Sequence, residues 1–216
     1  MTTIEYLVVS LSLIFLGGYH ATFFYQTKKT PGRTEVGKAH ARRSVWVDRM
    51  IAREDRILAI QTLRNWTMSA TYLASTAILI AAGLLGFLVS VDKISTLVLE
   101  VNVLGSQDAG LLTLKLVLLI ANFFAAFFNF TLSLRFYNYV ALDIGAADQS
   151  ASQEERKEIV GHLIRAANHY TWGMRGYDLC IPILLWIFGP LWLLAGSVLT
   201  TVALYRHDHV AGHRSI

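Results

Sequence analysis

The chain has 216 residues, of which 54% are hydrophobic and only 16% charged, with a mean hydropathy of +0.46. Soluble domains carry about 25% charged residues, so the composition argues against an ordinary water-soluble fold. The net charge of +4 and pI near 9.3 do not point to nucleic acid, because the basic residues flank apolar runs and no nucleic-acid-binding motif accompanies them.

A bilayer core about 30 Å thick needs about 20 apolar helical residues to cross it. Four stretches meet that length: 4–24, 67–91, 111–141 and 177–204. The predicted fold is therefore all-α: a polytopic membrane protein with four transmembrane helices and two cytoplasmic amphipathic helices, forming a single membrane domain over 1–216. Its cytoplasmic connections are 25–66 and 142–176.

The first stretch has only Glu5 before its apolar run, lacks a small-residue cleavage site, and is followed by Lys28, Lys29 and Arg33. That pattern reads as a retained helix rather than a signal peptide. After the Thr30-Pro31-Gly32 turn, 34–63 becomes amphipathic. Trp46, Val47, Met50, Ile51, Ile57 and Leu58 share one stripe, and Arg49, Arg53 and Arg56 the other side. Such a helix is expected to lie in the inner interface with its arginines near anionic head groups. Glu54 falls within the apolar stripe and reads as an imperfection of it.

In the second span Ala70, Ala74, Ala77 and Ala81 form a small-residue face suited to close helix packing. The outer loop, 92–110, carries a single cation, Lys93. In the third span Lys115 and Arg135 are 20 residues apart, about 30 Å at helical rise, so each is expected to snorkel to its own surface. Between them Asn122, Asn129 and Ser133 form a polar intramembrane face. Interhelical hydrogen bonding is the preferred reading of it, and a polar transport path the alternative. Ser152 and Glu155 spell a capping box at the start of a second cytoplasmic helix, 153–171. In the last span Pro190 is expected to kink the helix near its middle.

Lysine and arginine concentrate in 26–66, with ten, and 135–175, with five. The positive-inside rule therefore makes both connections cytoplasmic and puts both termini outside, in a cell (inner) membrane. Cys180 is the only cysteine and cannot form an internal disulfide.

With that topology, polar and aromatic residues converge at the inner boundary: His20, Arg64, Asn65, Trp66, Arg135, Asn138, Trp172 and Arg175. As a bland arrangement this is an interfacial belt; as a site it is a basic pocket for a lipid phosphate or an anionic solute. His20 and His169 on the same side make an axial haem pair conceivable, but no other span supplies a buried histidine and no metal-binding spacing is present. His162 and His169 read as part of a solvated face, and His207, His209 and His213 as a flexible tail. No cofactor is expected.

The stretches "YHATFFYQTKKTPGRTEVG", "RRSVWVDRMI", "AIQTLRNWTMSATYLASTAI" and "GMRGYDLCIPILLWIFGP" resemble the membrane family catalogued as domain of unknown function 599. The likeness runs from His20 through Pro190, with His20, Arg43, Trp46, Arg64, Asn65 and Arg175 matching the family pattern. The resemblance implies a multi-span membrane protein and carries no reaction. The residues themselves offer no nucleophile–base pair, paired carboxylate or phosphate loop, which argues against an enzyme. The expectation is a non-enzymatic membrane protein that binds anionic lipid of the cytoplasmic leaflet or a partner subunit, and is a homo-oligomer or part of a membrane complex. The alternative is a small-solute transporter or channel acting as an oligomer, and a haem- or metal-binding subunit is the remote one.

Overall fold

The computed structural model describes residues 3–52, 56–89 and 108–209. Arg53, Glu54, most of the 92–110 loop and His213 lie outside them. The described residues are almost wholly helical: α1 (Thr3–Lys29), a 3-10 turn (Pro31–Arg33), α2 (Glu35–Ala52), α3 (Arg56–Val89), α4 (Ala109–Ala146), α5 (Gln153–Trp186) and α6 (Pro190–His209). Glu5–Lys29, Arg56–Val89 and Gly110–Ala146 are long and apolar enough to cross a membrane. The sequence predicted four such spans.

The difference lies at the fourth. The stretch 177–204 is not one kinked helix. Helix α5 runs unbroken from the capping box at Ser152 and Glu155, which bond each other's backbone N–H groups at 2.6 and 3.2 Å, to Trp186. The predicted cytoplasmic helix 153–171 is thus the first half of α5, not a separate element. The chain then turns through Ile187, Phe188 and Gly189 and starts again at Pro190. Gly189 has φ 136°, a conformation open to glycine at a helix stop. Pro190 occupies the first position of a helix, where its missing N–H costs nothing.

The result is an αα-hairpin. A Cβ on Gly196, seven residues after the turn, would meet Leu185 Cδ1 at 2.8 Å and Pro182 Cα at 3.1 Å, seven residues before it. Glycine at 196 therefore lets α6 lie directly against α5, running back along it. Tyr19 donates to Asp208 Oδ2 at 2.5 Å, and Gln26 meets His209 at 3.0 Å. The C-terminal end of α6 thus lies beside the C-terminal end of α1, so the two helices run parallel.

Residue contacts divide the chain into two units, 1–37 with 79–124 and 176–216, and 38–78 with 125–175. In the first unit Leu112, Leu116 and Ile187 form a small core with Leu84 and Leu88. Beside it Lys115, expected to snorkel, is only 3% exposed. Its ammonium donates to the Trp186 carbonyl at 2.9 Å and lies 5.3 Å from the Trp186 ring centroid. The same carbonyl accepts from Gly189 N–H at 3.1 Å, so the oxygen exposed by the end of α5 has two donors. Glu5, 2% exposed, supplies the opposing charge.

In the second unit α2 packs through Val47, Met50 and Ile51 against Ala59 and Leu63 of α3, Tyr137, Val140 and Ile144 of α4, and Ile159, Leu163 and Ala166 of α5. At 34, 38 and 34 residues, α3, α4 and α5 are about 51–57 Å long, well beyond the roughly 30 Å of hydrocarbon. The surplus turns of all three are what α2 packs on. The predicted interfacial helix therefore spends its apolar stripe on protein. Ile57 and Leu58, assigned to that stripe, belong to α3 and are exposed. The stripe of Ala70, Ala74, Ala77 and Ala81 is buried, as small packing residues should be.

Replacing Lys115 by Met should cost about 3–5 kcal/mol, the usual loss when one member of a buried charge pair is removed, and adding Glu5→Gln should recover a large part of it. Thermal unfolding in detergent of the two single variants and the double variant measures this. A strictly additive double variant would show that Glu5 and Lys115 do not interact.

Candidate functional site

The residues expected at the inner boundary divide between the two units. His20 belongs to the first unit, where its Nδ1 lies 2.8 Å from the Leu16 carbonyl. The others belong to the second unit. Arg64 and Asn65 are exposed on α3, while Trp66 turns inward to stack between Trp46 and Tyr137, with ring centroids 5.6 and 5.7 Å away. That answers why an aromatic residue follows two polar ones at this point: Trp66 is core, one helical step from an exposed edge. Asn138 and Trp172 are exposed, and Arg175 is buried.

The polar intramembrane face is used between helices. Asn122 donates to the Gly176 carbonyl at 2.8 Å and to Cys180 Sγ at 3.0 Å, within the first unit. In the second, Ser133 donates to the Ala166 carbonyl at 2.8 Å, and Asn129 Oδ1 lies 3.1 Å from His169 Nδ1. For that last contact Nδ1 must carry the proton and donate to the amide oxygen. These groups tie α4 to α5, as polar side chains do across helices in lipid.

His162 and His169 are not a solvated face. His162 Nδ1 meets Asp143 Oδ2 at 2.9 Å. Both rings stack on Phe136 of α4, His169 nearly parallel at 7° and 5.7 Å, His162 at 29° and 6.2 Å. Arg165 lies over the Phe136 ring at 6.0 Å. Arg135 bonds Tyr139 OH at 2.6 Å and lies 5.6 Å from the centre of the same ring. Arg135 and Arg165 are both exposed. The α4–α5 seam thus presents a strip of aromatic and imidazole rings carrying two exposed guanidinium groups. Sequence reasoning found Arg135 and missed Arg165, because helical angle alone does not say which faces of two helices meet.

Behind this strip, α2 brings His40 and Arg43 toward α4 and α5. Burial first, then the charge of Arg43, lowers the His40 pKa, with Asn168 partly opposing. Burial likewise lowers that of Arg43, with Tyr137 opposing.

The sequence reading passed over a second set of buried polar residues, on α1 and α6 of the first unit. Glu5, Ser12, Tyr19, Ser197, Thr200, Thr201 and Asp208 are all buried. The signal was available: every seventh residue of α1 from Glu5 is polar, Glu5, Ser12, Tyr19 and Gln26. His207 and His209, read as tail, lie on α6; His207 Nδ1 is 3.8 Å from Asp208 Oδ1. Among the described residues no three His, Cys, Asp or Glu side chains group as a metal ion would require.

No curated protein and no solved structure matches the chain. A family model does, from residue 7 to residue 212, with the hairpin and the α4–α5 strip inside the matched span. The chain belongs to that family, described as "Protein of unknown function, DUF599".

Proposed function

We propose that this is a five-pass protein of the cell membrane, not an enzyme, whose α4–α5 strip holds anionic lipid head groups of the cytoplasmic leaflet. The carrying observation is the pair Arg135 and Arg165, each exposed and each seated on an aromatic ring. A guanidinium held this way loses less freedom on binding, and its planar fork matches a phosphate with two parallel hydrogen bonds. Arg135 also sits where the apolar run of α4 ends, at head-group depth.

Five passes follow from the hairpin. Helices α5 and α6 each cross, so the C-terminal end of α6 returns to the cytoplasmic side. Charge supports this count. The segments it leaves outside are Glu5 and its neighbours, the 90–108 connection and the 187–189 turn, and Lys93 is the only Lys or Arg among them. Arg206 and Arg214 join the cytoplasmic set. The Asn122–Asn129 face gives little support to solute transport, because its amides are engaged with α5.

In a Cys180→Ala background, His207→Cys should react with an impermeant maleimide only from the cytoplasmic side and Phe188→Cys only from outside. Labelling of both from one side would remove the fifth pass. In native mass spectrometry with phosphatidylglycerol, Arg135→Ala/Arg165→Ala should weaken lipid binding about thirtyfold. That follows from about 1 kcal/mol for each arginine near an anionic surface. Unchanged retention of the lipid would end the head-group reading.

A further inference from the structure

The head-group reading makes no use of His40. On α2, His40, Arg43, Val47 and Met50 follow one another at three- and four-residue steps and so share a face. Val47 and Met50 are buried against α3, α4 and α5, which turns that face toward the bundle. Its C-terminal half is therefore apolar, while its N-terminal half carries a partly buried imidazole and a partly buried guanidinium. One nitrogen of His40 bonds the Asn168 side chain of α5. The other, Nε2, is enclosed and has no hydrogen-bond partner.

That arrangement suits a neutral ring. An imidazolium carries an N–H on both nitrogens, whichever way the Asn168 amide is turned. The N–H on Nε2 would then be a charged donor enclosed without an acceptor, which a fold tolerates poorly. The neighbours give no relief. Among the described residues the charge that acts on His40 is that of Arg43, one helical turn on and of the same sign. Arg42, on the same helix, acts on Arg43 with that sign again. From α5 comes the neutral Asn168 amide, from α4 the Tyr137 phenol, which acts on Arg43, and from α3 the apolar Ala59 and Leu63. Burial and Arg43 accordingly hold the His40 pKa below the usual imidazole range.

We infer that the N-terminal half of α2 is an acid-released latch, docked on α5 while His40 is neutral and opening when His40 takes a proton from water. The open form, with the ring hydrated, binds that proton more tightly than the docked form. Docking is therefore at full strength above about pH 6.5, the ordinary imidazole value, and weakens as the pH falls below it. Val47, Met50 and Ile51 carry no titratable group and remain the anchor, so the helix opens from its N-terminal end without leaving the bundle. One N–H bond forms with a solvent proton, and the Asn168 contact is exchanged for water. Both steps reverse when the pH rises. The compartment whose pH is read rests on the topology proposed above, which puts α2 in the cytoplasm; the latch itself does not depend on it.

The test is hydrogen exchange of the full chain in detergent, followed by mass spectrometry on peptides covering 38–45 and 47–52 and corrected for the intrinsic pH dependence of exchange. Between pH 7.5 and 5.5 the wild type should lose protection over 38–45 by up to about tenfold, the limit for one imidazole of ordinary pKa in the open form. Protection over 47–52 should hold. His40→Gln keeps a hydrogen-bonding side chain but takes no proton, so its protection over 38–45 should be the same at both pH values. Arg43→Gln removes the like charge and should lose less protection than the wild type. Should His40→Gln fail to fold, the wild-type profile and Arg43→Gln decide. Equal losses in the wild type and His40→Gln overturn the proposal. So does wild-type protection over 38–45 that stays flat across the range, or an Arg43→Gln loss as large as that of the wild type. Arg135 and Arg165 take no part in this measurement, so the latch and the head-group reading fail separately.

Discussion

A helix that ends in apolar surroundings leaves carbonyl oxygens that no water can reach, and the reversal after Trp186 has to meet that constraint. It does so with one side chain. Lys115 donates to the Trp186 carbonyl, which also accepts the Gly189 N–H. A cation at the negative end of the α5 dipole is favourable on its own account, and Glu5 offsets the charge that burial would otherwise make costly. From this follow the hairpin and the parallel run of α6 beside α1. A leucine at 115 would leave the end of α5 short of a donor and Glu5 without its cation.

Hydropathy could not have found the reversal, because 177–204 is apolar on both sides of it. A window of apolar residues reads the same whether the chain goes straight on or turns back. The information was in Gly189-Pro190. Glycine just past a helix and proline at the first position of the next is a stop followed by a start, whereas proline read alone suggests only a kink. The capping box at Ser152 and Glu155 was legible for the opposite reason: both partners lie within one turn, so spacing decides everything. The apolar stripe of α2 was legible as a stripe, but not what covers it. A bilayer and a helical core present the same apolar surface to it, and only the surplus length of α3, α4 and α5 distinguishes them.

The candidate site was legible in proportion to how local it is. Arg135 could be placed at a membrane boundary from the length of one helix, but its neighbour Arg165 comes from another helix, and pairing is a tertiary fact. The inner-boundary group assumed that residues at one depth meet. Depth is only one coordinate, and rotation about each helix axis is another. Trp66 and Arg64 share a depth yet face a core and an exposed surface. The seven-residue polar spacing of α1 is the one overlooked signal that needed no tertiary knowledge. It marks a narrow stripe on a straight helix, which an exposed or purely lipid-facing helix has no reason to keep polar.

The dipole argument that explains Lys115 also separates the buried charges from one another. Glu5 lies in the first turn of α1 and Lys115 faces the last carbonyl of α5, so both have the sign their helix ends favour. Asp208 does not. It is a buried acid in the last turn of α6, where the backbone already carries partial negative charge. Tyr19 donates to it and His207 stands 3.8 Å away, yet a neutral asparagine could accept the same tyrosine hydrogen bond without opposing the dipole. Two of the three charges thus serve the fold where they stand. The third stands at the helix end its sign disfavours, and the Tyr19 hydrogen bond is among the contacts that hold it there.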